Sequence, residues 1–151
     1  MSNGNHCGTT LMWTYKRIFV NGCFDILHLG HLELLQYAKN QGSYLLVAID
    51  SDRRIREKKG QDRPFNNQNT RKHVMAMLKP VDEVKIFDTD QELIDIVADY
   101  RPDIMIVGSD WENKPIIGSE YSKSIMFFNR IGNESTTQTI ENYIDRRYLH
   151  R

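Results

Sequence analysis

The segment Tyr44-Leu45-Leu46-Val47-Ala48-Ile49 carries no charge and no break, and it restricts the fold more than any other stretch of the chain. A strand with one wet face alternates apolar with polar residues. A run without alternation must be covered on both faces, as a strand inside a parallel sheet is. Four further runs read as strands: Arg17-Ile18-Phe19-Val20, Glu83 to Phe87, Asp103-Ile104-Met105-Ile106-Val107 and Ser124 to Phe128. Helical periodicity fills the gaps. Leu34, Leu35 and Ala38 share a face between Leu32 and Lys39, and Gly42 stops that helix. A helix from about Asn67 to Lys79 is expected to turn Val74, Met77 and Leu78 inward. Thr89 with Glu92 forms a capping box ahead of Leu93, Val97 and Tyr100, and Pro102 ends that helix. Ser135 with Gln138 caps a last helix that runs through Tyr148. Strands separated by helices predict an α/β three-layer sandwich, with right-handed crossovers around a parallel sheet of about five strands. In such sheets a ligand sits beyond the carboxyl ends of the strands, where strand order reverses.

Charge narrows the partners. The 151 residues hold twenty basic and twenty acidic groups, so the broad basic surface of a nucleic-acid or anionic-membrane binder is absent, and any anion site is local. Cys7 and Cys23 are the two cysteines, too few for a disulfide framework or a cysteine zinc site, and both are expected to be free thiols. No run reaches the roughly 18 apolar residues of a membrane helix, and the first residues lack the basic-then-apolar build of a secretory signal, so a cytoplasmic protein is expected. Residues 1–15 read as a loosely ordered extension and 16–151 as a single domain.

The chemistry concentrates in the turn after the first strand, Asn21-Gly22-Cys23-Phe24-Asp25-Ile26-Leu27-His28-Leu29-Gly30-His31. Gly22 and Gly30 permit an unusual φ or a close approach to a ligand, and the N-terminus of the following helix presents unpaired N–H groups to an anion. His28 and His31 flank Gly30 at a spacing that aims two imidazoles at one point. By themselves two such histidines suit a phosphate, a metal or neither. Their protonation is also open, because a helix N-terminus disfavours imidazolium whereas a bound triphosphate favours it.

In its strand-to-helix context, Gly22-x-Phe24-Asp25-x-x-His28-x-Gly30-His31 resembles the signature of the HxGH nucleotidyltransferases, the cytidylyltransferase-like family. The resemblance extends from Arg17 to Tyr143 and implies a Rossmann-like, HUP-type nucleotidyltransferase fold. Asn21 to Val84 is most similar to the adenylyltransferases of ADP-heptose synthesis, through Asn21 to Asp25, Ser51-Asp52, Lys59-Gly60, Arg63-Pro64, Asn66, Arg71 and Val81-Asp82. Ile117-Gly118-Ser119 is similar to the same enzymes. Gly108-x-Asp110-Trp111-Glu112-x-Lys114 instead resembles glycerol-3-phosphate cytidylyltransferases. Ser135-Thr136-Thr137 matches the closing Ser-Thr-Thr of the family, but the preceding Arg130 to Glu134 departs from its forms and leaves Arg130 without an assigned role.

The resemblance implies attack by a phosphate oxygen of the acceptor on the α-phosphorus of a nucleoside triphosphate, with release of pyrophosphate and no protein nucleophile. His28, His31, Lys59 and Arg71 would be catalytic, and Lys59, Arg63 and Arg71 would hold triphosphate and acceptor. Gly22, Cys23, Phe24, Asp25, Gly30, Gly108, Asp110, Trp111, Ser135, Thr136 and Thr137 would bind nucleotide, with Asp25 orienting a histidine or a backbone amide. Mg²⁺ would ride on the phosphates with most of its waters and no dedicated protein cage. ATP with a sugar 1-phosphate such as D-glycero-D-manno-heptose 1-phosphate is the leading pair. CTP with glycerol 3-phosphate is the alternative, a non-catalytic nucleotide-binding module is a third reading, and a homodimer is expected.

From Asp52 to Arg63 six basic residues, Arg53, Arg54, Arg56, Lys58, Lys59 and Arg63, face three acidic ones. This stretch is expected to be a mobile loop closing on phosphate through Lys59 and Arg63, with Arg53, Arg54 and Arg56 on the surface. Met75, Met77, Met105 and Met126 are expected in the core. His6, His73 and His150 carry no expected role.

Overall fold

The computed structural model describes residues 14–130 and 135–148. Five strands form one parallel sheet: β1 (Arg17–Gly22), β2 (Tyr44–Asp50), β3 (Glu83–Phe87), β4 (Ile104–Gly108) and β5 (Ser124–Phe128), in the order β3-β2-β1-β4-β5. Phe19 of β1 lies opposite Leu46 of β2 on one side and Met105 of β4 on the other. The chain runs outward from β1 to β3, returns to β4 on the other side of β1 and ends at β5, so strand order reverses between β1 and β4.

The apolar run of β2 is explained by two cores. Leu45, Val47 and Ile49 point with Ile18 and Val20 into the layer closed by α1 (Leu29–Asn40) and α3 (Gln68–Ala76), where Leu35, Ala38 and Met75 are buried. Leu46 and Ala48 point with Phe19 and Met105 into the opposite layer, against Leu93 and Val97 of α4 (Asp90–Tyr100). Tyr100 extends this second layer and donates its hydroxyl to the Ile18 and Tyr44 carbonyls.

Helix boundaries follow local chemistry. Thr89 Oγ1 accepts from the Glu92 amide, and Glu92 reaches back to the Asp88 amide rather than to that of Thr89. Arg101, which Pro102 biases away from the helical region, closes α4 in the left-handed conformation at φ 50°. A last helix, α5 (Thr136–Tyr148), starts where Ser135 Oγ accepts from the Gln138 amide.

Two expectations change. Residues Asp52–Lys59 form a helix, α2, capped by Ser51, not a mobile loop. Within it Arg54 is not a surface residue: its side chain is 10% exposed, paired with Asp50 and Asp90 and laid over the Phe87 ring. Arg53 and Arg56 are exposed, Arg53 in pairs with Asp88 and Glu57.

The helical phase of α3 is also shifted. Its buried face is Arg71 and Met75, whereas Val74 is 42% and Met77 76% exposed, so Met77 is no core residue although Met75 and Met105 are fully buried. The physical reason is the buried guanidinium of Arg71. A search for apolar periodicity counts that position as polar and rotates the helix toward Val74 and Met77.

Met75→Ala should cost about 2–4 kcal/mol of stability in urea denaturation, as buried large-to-small changes do, and Met77→Ala should change it by less than about 0.5 kcal/mol. The reverse ranking would restore the phase suggested by the apolar pattern.

Candidate active site

At the carboxyl end of β1 the chain passes through Cys23 to Leu27 and enters α1 with His28 as its N-cap, in an extended conformation (φ −138°, ψ 174°). A capping box is ordinarily built from a hydroxyl and a carboxylate. Here it is built from two imidazoles: His28 Nδ1 accepts from the Gly30 amide at 3.1 Å, and His31 Nδ1 accepts from the His28 amide at 3.3 Å. An Nδ1 that accepts cannot carry a proton, so each neutral ring carries its proton on Nε2 and offers it as a donor. The rings lie together with centroids 3.9 Å apart and an interplanar angle of 31°. A Cβ on Gly30 would come within 3.0 Å of His28 Cε1, so glycine is what allows the ring to fold over the start of the helix. Gly22 does not have a positive φ; the left-handed residue of this turn is Phe24 (φ 47°), which is buried with its ring 5.3 Å from that of His31.

For His31 the surroundings favour the neutral form. Burial, followed by the cations Arg130 and Lys59 and any charge carried by His28, lowers its pKa to about 4, so at neutral pH the His31 ring is an uncharged N–H donor. The same interactions place Lys59 and Arg130 in electrostatic range of His31. Arg130, left without a role by its sequence context, thus belongs to this group. The Cys23 thiol is pushed up, first by burial and then by Asp50, whose Oδ2 lies 3.7 Å from Sγ. It is a neutral thiol rather than a nucleophile.

Two residues expected to touch substrate instead hold loops. Arg71 is buried with no exposed side-chain surface. Its Nε donates to the Asn66 carbonyl, Nη1 to the Cys23 and Asp50 carbonyls, and Nη2 to Asp52 Oδ1, at 2.8–2.9 Å. Reaching a phosphate would break four hydrogen bonds of a charged group, each contributing about 1.5–3 kcal/mol. In this structure every hydrogen bond of the Arg71 guanidinium goes to protein groups, none of them a side chain expected to bind substrate.

Asp25 is likewise not directed at nucleotide. It is buried, and its two oxygens accept from the Phe65 and Asn66 amides at 2.7 and 2.8 Å, with Arg63 Nε 3.5 Å away. Of the roles considered for Asp25, orienting backbone amides is the one this geometry fills. Arg63 is partly buried beside it, and its Nε makes no hydrogen bond among the described residues.

The neighbouring strand end carries the other group. After β4 a short turn, Ser109–Trp111, leaves Asp110 and Trp111 exposed, with Lys114 Nζ 5.6 Å over the indole. Gly108 admits the Asp110 carboxylate to where a side chain would sit, 2.5 Å from an ideal Cβ. Because β1 and β4 are adjacent, the histidine loop and this turn flank the point where strand order reverses. At the start of α5, Ser135 Oγ is engaged by the Gln138 amide and Thr137 is exposed, while the Thr136 side chain lies outside the described residues.

A separate groove of about 350 Å³, bordered by Ser51, Arg53, Gln68, Asp88 and Glu92 among others, contains none of these site residues. Its polar groups bond mainly with one another: Asp88 with Ser51 and Arg53, Gln68 with the Asp52 amide. Among the described residues no group of three or more His, Cys, Asp or Glu side chains is placed to hold a metal, and no helix is long and apolar enough to cross a membrane.

The family model described as cytidylyltransferase-like matches residues 19–146. The chain is 46% identical over 129 residues to the bifunctional protein HldE of a Nitratiruptor species and 42% identical over 123 residues to that of Campylobacter fetus subsp. fetus. These matches cover 83% and 82% of this chain but 27% of each relative, so the chain spans about a quarter of their length. Among solved structures it is similar to the lipopolysaccharide core biosynthesis protein from Thermoplasma volcanium, with a TM-score of 0.61 and 25% identity, over 79% of this chain and 98% of that one. Pantothenate synthetase from Thermus thermophilus shares the fold alone, at a TM-score of 0.56 and 11% identity, over 83% of this chain and 61% of that one.

A histidine whose folded pKa is depressed contributes stability above its ordinary value of 6.5 and loses that contribution as pH falls through about 4, because the unfolded chain binds the proton first. The urea midpoint should therefore fall between these pH values, and His31→Gln should flatten part of the fall. Equal slopes in both proteins would contradict the neutral, buried His31.

Proposed function

The chain belongs to the cytidylyltransferase-like family and carries a nucleotidyltransferase domain, and from that premise we propose that it transfers a nucleoside monophosphate from a nucleoside triphosphate, with ATP the leading nucleotide, to a sugar 1-phosphate such as D-glycero-D-manno-heptose 1-phosphate. The observation that carries this reading is the pair of Nε2–H donors at the start of α1, with Lys59 and Arg130 close enough to act electrostatically on His31. Neutral N–H donors backed by cations suit phosphate oxygens whose charge grows during transfer. The likeness of Asn21 to Val84 to adenylyltransferases of ADP-heptose synthesis supports the acceptor, as does the similarity to a lipopolysaccharide core biosynthesis protein.

In this reading a phosphate oxygen of the acceptor attacks the α-phosphorus. The bond from the α-phosphorus to the bridging oxygen breaks, and pyrophosphate leaves with the bonding electrons. His28 and His31 donate to oxygens of the reacting phosphates, while Lys59 and Arg63 hold the triphosphate and the acceptor. Ser135, Thr136 and Thr137 at the start of α5 receive the leaving phosphates. Asp110 and Trp111 face the base or ribose. Mg²⁺, brought in on the triphosphate, would neutralise phosphate charge. The N–H and cationic side chains near the histidines fit phosphate oxygens rather than a metal, and Asp110 is the nearby carboxylate able to meet a metal-bound water. Assembly as a homodimer, a location in the cytoplasm and a single domain over 16–151 belong to the same proposal.

The segment Gly108 to Lys114 favours a second pair, CTP with glycerol 3-phosphate. Pyrophosphate release should be measured with Mg²⁺ and each of ATP, CTP, GTP and UTP, against heptose 1-phosphate and glycerol 3-phosphate. Release with ATP and the sugar phosphate is expected, and His28→Ala or His31→Ala should lower it at least about a hundredfold, the order found when one transition-state donor is removed. Release confined to CTP and glycerol 3-phosphate would overturn the leading pair. Near wild-type turnover in both histidine variants would overturn the mechanism.

A further inference from the structure

We infer that Arg71 is a positioning residue for this transfer, holding the histidine loop at the distance the reaction needs without touching either substrate. The inference rests on the proposed transfer, but its geometry does not. Four of the five N–H groups of one guanidinium are engaged, and the partners come from four places: Cys23 in the histidine loop, Asp50 at the end of β2, Asp52 in the first turn of α2, and Asn66 in the loop before α3. Arg71 itself enters from α3. One planar cation thus fixes the separation of the segments that carry His28, Lys59 and Arg63.

Asp25 closes the bracket from the other direction. It sits two residues after Cys23 in the histidine loop and takes the amides of Phe65 and Asn66, while the Asn66 side chain returns a hydrogen bond to the Asp25 carbonyl at 3.2 Å. The histidine loop and the 63–66 loop are therefore joined twice, by a buried anion from one and, through the Asn66 and Cys23 carbonyls, by the buried cation Arg71. A lysine at 71 has three donors on one nitrogen and cannot span four partners set around a plane. Loss of the bracket would let the Cys23 to His28 stretch shift, and a displacement of about 1 Å in a reacting group can cost about a hundredfold in rate.

The test compares the wild type with Arg71→Lys, Arg71→Ala and the milder Asp52→Asn, which takes the charge from one partner, keeps an acceptor oxygen and leaves the arginine. Turnover per folded molecule should fall about a hundredfold in Arg71→Lys with both KM values within about threefold of wild type. Asp52→Asn should give a smaller fall of the same kind. Guanidinium ion at millimolar concentration should restore part of kcat in Arg71→Ala. Amide hydrogen exchange, which needs no turnover, should rise at residues 22–27 and 64–66 in the variants and stay unchanged in β1 and β4.

A tenfold or larger rise in KM with little change in kcat would overturn the inference in favour of direct substrate contact. Unchanged exchange in those two loops, or unchanged kcat per folded molecule, would overturn it as well. A wild type that releases no pyrophosphate, with exchange in the variants behaving as expected, would refute the proposed transfer and leave the bracket standing.

Discussion

The reciprocal cap between His28 and His31 is the interaction on which the rest of the site depends. It satisfies amides at the start of α1 that would otherwise lack partners, stacks the two rings, and fixes the proton of each on Nε2. The same two hydrogen bonds thus terminate a helix and set the chemistry of a donor pair. Protonation at Nδ1 would break the cap, so the helix start opposes imidazolium formation, and burial of His31 opposes it further. A pair held in this way donates to phosphate without first having to lose or gain charge.

Position comes from a second layer of polar groups. The histidine loop leaves β1 beside β4, where strand order reverses and parallel sheets of this kind place their ligands. Buried Asp25 and Arg71 then tie that loop to the segment before α3 and to the end of β2. Each of these ties is a hydrogen bond to a charged group, contributing about 1.5–3 kcal/mol, so the two residues hold the loops together although they lie beside the chemistry. Outside them α2 carries Lys59 toward His31, and Arg54 anchors α2 to Asp50 and Asp90.

The sheet was legible because its signal is local. The bounds of β3 and β5 match the strands expected from the sequence, and β2 needs two cores for the same reason that its sequence does not alternate. The histidine pair was legible because two imidazoles around a glycine at a strand-to-helix turn form a sequence-local pattern. What stayed hidden depends on burial of charge by residues distant in sequence. Nothing near Arg71 signals that Cys23 and Asp50 will surround it, and the same ignorance rotated α3 toward Val74 and Met77. Arg54 was hidden in the same way, since its partner Asp90 lies thirty-six positions further along the chain. Asp25 was recognised as polar and close to the site, but only the fold supplies the two amides that it holds.

Imidazole nitrogen NMR on the whole chain at neutral pH tests the central claim most directly. His28 and His31 should both carry their proton on Nε2 and leave Nδ1 bare, and His31 should stay neutral until the pH approaches about 4. A proton on Nδ1 of either ring, or an imidazolium at His31 near neutrality, would contradict the account.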